Sequence, residues 1–200
     1  MECVGMAAIN PQRIYGNWLS GIALDVHTLS SIYLGVNEAG HDVFENTRSE
    51  LGELLYRLKY RGDKSAAKEI IETASAFLKG HRSKFDIMVP VPPSGARAIQ
   101  PVITVARGIG KAIELPVVEC IALTRPATQL KGVMDRDKRV ELLAGLHSVE
   151  VSQTKGKNIL LFDDLFRSGA TMNAITDLLM QEGKAASVRA LTLTRTRSDQ

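Results

Sequence analysis

Cysteine is nearly absent. Cys3 and Cys120 lie far apart in the 200 residues, with no histidine or cysteine at metal-ligand spacing, which excludes a disulfide framework and a structural zinc site. Aromatic residues make up 5% of the chain, and Trp18, Phe44, Tyr56 and Tyr60 are too scattered to form a platform for stacking bases. Nowhere do about eighteen apolar residues run together, and the start, MECVGMAAINPQRIYGN, has no basic segment leading into a sustained apolar one. A soluble cytoplasmic protein without a membrane partner is expected. Charge of one sign is missing too: 25 basic residues stand against 22 acidic ones, so the net +3 marks no basic face and nucleic acid is not expected as a direct ligand. There is no Walker A sequence. The stretch RGIGKAI (Arg107 to Ile113) lacks the third glycine of a dinucleotide fingerprint and closes a helical stretch, so it reads as a helix terminus. His27, His41, His81 and His147 share no spacing suited to metal or triad chemistry and read as packing or surface residues.

What the chain does contain is 44% hydrophobic residues, enough for one core and one compact domain. Gly21 to Leu34 alternates apolar and polar residues as a half-buried strand or hairpin does. Asn46 or Thr47 is placed to cap a helix, with Glu50 three residues after Thr47 and Leu51, Leu54, Leu55 and Leu58 at helical spacing up to a stop at Gly62. A second helix, Lys64 to Lys79, carries Ala67, Ile70, Ile71, Ala74 and Leu78 on one side and ends at Gly80. Both read as packing elements. Residues 1–84 are thus expected to supply a strand or hairpin hood and packing helices. Residues 85–200 are expected to form the core, because FDIMVPV, PVVECIAL, NILLF and SVRALTLT are short apolar runs alternating with helical stretches. That alternation predicts an α/β fold with a mostly parallel sheet covered on both faces. Thr124 to Gly145 is long for a connection inside a compact domain and carries Arg125, Lys131, Arg136, Lys138 and Arg139. Such a connection is functional or, more simply, a solvated charged hairpin.

The densest chemical signal is NILLFDDLFRSGAT. In a parallel sheet ligands bind beyond the carboxyl ends of strands, and the apolar run delivers Asp163 and Asp164 to such an end. Ser168, Gly169 and Thr171 follow with two hydroxyls and a backbone open to close approach, as the next helix begins near Ala170. This is an anion seat, most naturally for phosphate. Paired carboxylates accept hydrogen bonds from neighbouring hydroxyls or hold a hard cation. A phosphate joined to a vicinal diol, as in a ribose 5-phosphate group, satisfies both halves at once. Taken alone, a double aspartate fits a magnesium site of another kind or a helix cap equally well.

Ile159 to Thr171 resembles the phosphoribosyl pyrophosphate (PRPP) signature of the type I phosphoribosyltransferases. LLYRLKYRGD (Leu54 to Asp63), VPVPPSGAR (Val89 to Arg97) and TRPATQLKGVMDRDKR (Thr124 to Arg139) follow the order seen in that family's ComF-type branch. The resemblance spans about residues 51–195 and implies roles. Asp163 and Asp164 would hold the ribose hydroxyls, and Phe166, Arg167, Ser168, Gly169, Ala170 and Thr171 the 5-phosphate. Pro93, Ser94, Gly95 and Arg97 would lie beside the pyrophosphate. A mobile arm from Thr124 to Gly145 would bring Lys131, Lys138 or Arg139 onto the leaving group. Mg2+ would be bound mainly through the substrate, near Asp163 and Asp164. The chain departs from the pattern in having Arg167 where the signature has Thr or Ser, and in lacking the amino-terminal cysteine-rich module of many ComF-type proteins. The resemblance implies an enzyme that displaces pyrophosphate from PRPP with a small-molecule base or amine. The same pocket would equally serve a non-catalytic PRPP-binding regulator or an accessory protein of DNA uptake. A phosphate-ester hydrolase is the weaker alternative, since no further acid can be named for it. Many relatives pair, so a homodimer is compatible with the sequence.

Overall fold

The computed structural model describes residues 5–93, 100–125 and 141–197. Along the chain run β1 (Gln12–Arg13), β2 (Ser20–Val26), β3 (Thr28–Val36), β4 (Asp42–Arg48), α1 (Glu50–Arg61), α2 (Lys64–Lys79), a 3-10 turn (Arg82–Lys84) and β5 (Ile87–Pro90). There follow α3 (Pro101–Ala112), β6 (Ile121–Leu123), β7 (His147–Val149), α4 (Val151–Thr154), β8 (Asn158–Phe166), α5 (Ala170–Gln181) and β9 (Ser187–Arg195). The central sheet has the order β1-β2-β9-β8-β5. Its strands β2, β9, β8 and β5 are mutually parallel and only β1 is antiparallel.

Because the sheet is covered on both faces, β8 needs apolar residues at consecutive positions, which is why ILLF shows no alternation. Leu160 and Phe162 join Leu24, Leu191 and Leu193 under α1, α2 and α3, whereas Ile159 and Leu161 join Ala23, Val188 and Ala190 under Met172, Ile175 and Leu179 of α5. Each fully buried side chain of this kind contributes about 1.5–3 kcal/mol. The α/β architecture with a mostly parallel sheet is as expected, and α1, α2, α3 and α5 occupy the stretches read as helical.

Three local expectations change. The cap of α1 is Ser49, not Asn46 or Thr47, because β4 continues to Arg48 and claims both of those residues. PVVECIAL does not form one core strand: Val117 makes an isolated parallel bridge to Met88, and the chain then leaves the sheet to pair β6 with β7 in an antiparallel ribbon. The strands of residues 1–84 are not all hood either. β2 lies inside the main sheet, in register with β9 from Ser20↔Arg189 to Val26↔Arg195, and only β3 and β4 stand off as a two-stranded ribbon. That ribbon is tied to α1 by Arg48, which lies 3.9 Å from the Tyr56 ring centre and 3.3 Å from Glu53.

The corner between β2 and α1 is tight. Ser49 Oγ accepts from the Gly52 amide at 3.0 Å and donates to the Val26 carbonyl at 2.6 Å. A Cβ at Gly52 would stand 2.2 Å from the His27 carbonyl oxygen. Alanine gains about 1 kcal/mol of helix propensity over glycine, and overpacking costs about 1–3 kcal/mol. A backbone oxygen at that distance has no rotamer to retreat into, so the clash wins. Gly52→Ala is expected to lower the unfolding free energy by about 2 kcal/mol, read as a reduced urea midpoint at unchanged slope.

Candidate functional site

β8 carries Asp163 and Asp164 to the carboxyl end of the sheet, where Asp163 sits opposite Thr192 and Leu165 opposite Thr194. Asp163 Oδ1 accepts the Asp164 amide at 2.8 Å, which fixes the first carboxylate against the backbone. Asp164 Oδ1 is 2.8 Å from Lys59 Nζ, and both side chains are largely shielded from water. Burial, and then the adjacent negative charge of Asp164, push the Asp163 carboxyl well above its ordinary 3.8. One acid is therefore neutralised by a lysine and the other resists ionisation. A ligand that offers hydroxyls or a cation relieves both constraints.

Lys59 comes from α1, which had been read as packing alone. Its signal was present in the sequence: it follows Leu51 and Leu55 at four-residue steps, so a lysine stands on the row that faces the core. LLYRLKYRGD divides its charged residues between two tasks. Arg57 pairs with Asp63 at 2.6 Å, and Asp63 in turn caps α2 through the amides of Ser65 and Ala66. Its carboxyl is held far below the usual range, chiefly by the Ser65 hydroxyl and then by Arg57. Lys59 serves the strand end.

Beyond the carboxylates, β8 ends at Phe166, Arg167 and Ser168 are exposed, and Gly169 takes the left-handed conformation at φ 75 that starts α5. A Cβ there would stand 2.9 Å from the Phe166 ring, and Gly169 offers no side chain to the first-turn amides. Those amides of Ala170, Thr171 and Met172 have no partner within the helix, the arrangement that receives an anion. Arg167, where the signature has Thr or Ser, is exposed. Phe166 itself is buttressed edge-on by Trp18, with ring centres 6.0 Å apart.

The remaining expected residues divide. Val91 donates to the Phe162 carbonyl at 2.8 Å, so Pro93, exposed just past β5, leaves the sheet beside Asp163. Ser94, Gly95 and Arg97, and likewise Lys131, Lys138 and Arg139, lie outside the described residues. The root of the long connection is described and packs beside the anion seat: Leu143 and Leu146 contact Ala170 in the first turn of α5. Arg125 donates to the carbonyls of Leu142 and Ala144 at 3.1 and 3.2 Å, so it secures that root.

His27, read as a packing or surface residue, is half-buried beside this strand end. It follows β2 directly and lines a cavity of about 960 Å3 at the carboxyl ends of β2 and β9, roofed by the β3–β4 ribbon. Its Nδ1 is 3.2 Å from Thr194 Oγ1, and that hydroxyl spends its one proton on the Asp164 carbonyl at 3.3 Å. Nδ1 must then be the protonated nitrogen, which leaves Nε2 as the acceptor. Burial, followed by Lys59 and Arg48, lowers the His27 pKa below 6.5, so the ring is neutral at pH 7. Sequence alone gave no means of placing it, because its neighbours arrive from α1 and β9.

Two stability measurements test these electrostatics. Lys59→Met leaves Asp164 shielded and unpaired and is expected to cost on the order of 3 kcal/mol. Adding Asp164→Asn should recover most of it, and independent, additive losses in urea denaturation would contradict the pairing. For Asp163, a folded pKa above 3.8 means that its stabilising contribution is complete below pH 3.8 and is lost as pH rises through the folded value. Asp163→Asn keeps the amide acceptor without the charge. Its melting temperature should exceed that of the parent at pH 8, by about 2–4 °C per kcal/mol relieved, with the gap closing toward pH 4.

No family model matches the chain. Over 153 residues it is 33% identical to competence protein ComFC of Bacillus subtilis strain 168, a match covering 72% of this chain and 59% of that protein. The chain thus spans about three-fifths of the length of this curated relative. Among solved structures, an adenine phosphoribosyltransferase superposes with TM-score 0.50 at 11% identity, covering 84% of this chain and 86% of the other. An orotate phosphoribosyltransferase from Aeropyrum pernix gives TM-score 0.46 at 17% identity, covering 84% and 76%. With Ile159 to Thr171 placed as a strand end, an acid pair and an uncapped helix start, the chain is a ComF-like protein with the type I phosphoribosyltransferase fold.

Proposed function

We propose that the protein binds PRPP and transfers its phosphoribosyl group to a base or amine, releasing pyrophosphate. The observation that carries this reading is the direct succession of the acid pair, the left-handed Gly169 and the bare amides of α5 along one stretch of backbone. The 5-phosphate rests on those amides and on the hydroxyls of Ser168 and Thr171. The neighbouring ribose hydroxyls reach Asp163 and the oxygen of Asp164 that Lys59 leaves open.

In the reaction the bond from the anomeric carbon to pyrophosphate breaks, its electron pair leaving with the phosphate oxygen. A lone pair of the acceptor forms the new bond, and the acceptor's proton goes to His27 Nε2 or to water. The transition state is cationic at the sugar, so the acid pair favours it electrostatically once the ligand draws Asp163 into its ionised form. Among the described residues no group of three His, Cys, Asp or Glu side chains could cage a metal. That donor set fits Mg2+ held largely by substrate oxygens and water, with Asp163 and Asp164 nearby. When bound, it would neutralise charge on the leaving pyrophosphate. Arg97, Lys131, Lys138 and Arg139 remain the proposed cationic contacts to that group.

A second reading has a specific observation behind it, namely the likeness to a competence protein of Bacillus subtilis. In that reading the same pocket senses PRPP, or serves DNA uptake as an accessory, without turnover. Titration calorimetry with PRPP and Mg2+ should give saturable binding that Asp163→Asn with Asp164→Asn abolishes while circular dichroism is unchanged. Undiminished affinity in that double variant would falsify the ligand assignment. Pyrophosphate release across a panel of bases and amines marks the enzyme; binding with silence across the panel marks the sensor.

A further inference from the structure

A second cavity, of about 540 Å3, lies toward the amino ends of β2, β9 and β8, away from the acid pair. Its size is that of a small-molecule site. Strand register sets its floor. Arg13 pairs with Ile22 and Ile22 with Leu191; one row nearer the strand starts, Ser20 pairs with Arg189 and Arg189 with Leu160. Paired residues point to the same side of a sheet, and alternate residues of a strand share that side, so both rows present their side chains on the face that packs against α2. Cover is incomplete there. Phe77 and Leu78, close to the end of α2, and Phe85, just past the 3-10 turn, form one wall. Ile22 and Phe77 stay half-buried, and Tyr15 on the lining is exposed.

The charge of this cavity is of one sign. Arg13, His81, Lys84 and Arg189 line it, and among the described lining residues there is no carboxylate. Asp86, next to Phe85, accepts instead from the Asn158 amide and side chain. Arg189 is half-buried and oriented: its Nη1 donates to Ser187 Oγ at 3.1 Å, and Ser187 Oγ donates to Asn158 Oδ1 at 2.8 Å. Among the described residues Ser187 is its one hydrogen-bond partner, so the rest of the guanidinium fork is open to a ligand. A fork held beside apolar walls favours an anionic acceptor.

We propose that this cavity binds a small amphiphilic anion, an apolar ring or short chain bearing a sulfonate, carboxylate or phosphate, as a site separate from the anion seat at the carboxyl end of the sheet. The apolar body lies on Ile22 and Leu191 against Phe77. Its acid group takes the open edge of Arg189, with Arg13 and Lys84 at the rim. Apolar contact by itself accepts neutral molecules as well; the cations supply the preference for charge. No bond is made or broken.

The test uses two probes with one ring system, 1-anilinonaphthalene-8-sulfonate and the uncharged N-phenyl-1-naphthylamine, and a chain pair, decanoate and decanol. Each is titrated against the whole chain under native conditions, by fluorescence or calorimetry. The anionic member of at least one pair should bind about 5- to 20-fold more tightly, because hydrogen bonds to charged groups exceed neutral ones and water screens part of the gain. Which pair responds separates a ring from a chain. Arg189→Met should bring that ratio near unity and keep the neutral partner's affinity within about twofold, whereas Arg189→Lys should retain part of the preference. Should Arg189→Met fail to fold, Arg13→Gln with Lys84→Gln, both at exposed positions, should lower the ratio by about twofold, the scale of surface charge contacts. Amide chemical shifts locate the probe, with changes expected at Ile22, Phe77, His81 and Arg189. Equal affinities within both pairs, a ratio that the variants leave unchanged, or shift changes gathered instead at Asp163 to Thr171 would each overturn the assignment.

Discussion

Adjacent carboxylates at the end of a buried strand repel one another and resist leaving water, and the architecture around β8 is organised by that constraint. Neither charge could persist there on Coulombic terms alone, since each also carries a desolvation cost. The chain answers asymmetrically. Asp164 receives Lys59 at 2.8 Å, and Asp163 receives only a backbone amide and shifts toward its neutral form. The uncapped start of α5, a few residues on, adds a positive dipole end that favours negative charge nearby. What results is an acid pair in which one member is ion-paired and the other is pushed toward its neutral form.

This arrangement draws the first third of the chain into the functional end of the molecule. α1 contributes Lys59, β2 leads into His27, and the ribbon between them closes the cavity. The contact that makes it possible is the pairing of β2 with β9, in which Asp25 meets Thr194, residues far apart in the sequence. Gly21 permits the close packing on which that pairing rests: a Cβ there would meet Trp18 Nε1 at 2.3 Å and the Ile14 carbonyl at 2.9 Å.

How much of this was legible in the sequence follows from the range of the interactions concerned. ILLF, the acid pair and the turn into α5 are specified within thirteen residues, from Ile159 to Thr171, and each was placed correctly because strand, turn glycine and helix start leave local marks. Helix ends at Gly62 and Gly80 were legible for the same reason. The hood boundary failed because period-two alternation in Gly21 to Leu34 reports a strand but not its partner. PVVECIAL failed because one apolar run spans a bridge to β5 and a departure into β6, and apolarity does not mark where a strand changes sheets. His27 and Lys59 reach the strand end only through neighbours brought from elsewhere. Lys59 left a trace, a cation on a leucine row, whereas His27 left none.

The same helix start that forms the anion seat also anchors the long connection. Leu143 and Leu146 rest on Ala170, with Leu142 and Ala174 packed beside them, while Thr124 closes the root by bonds to Gly145 and Leu146. An anion bound on the amides of Ala170 to Met172 therefore contacts the helical turn whose other side supports the root of residues 126–140. No separate relay is needed between phosphate binding and that connection, because one turn of α5 belongs to both. In a phosphoribosyl transfer, where water is a competing acceptor, such a shared turn would join occupancy of the seat to the root of the connection.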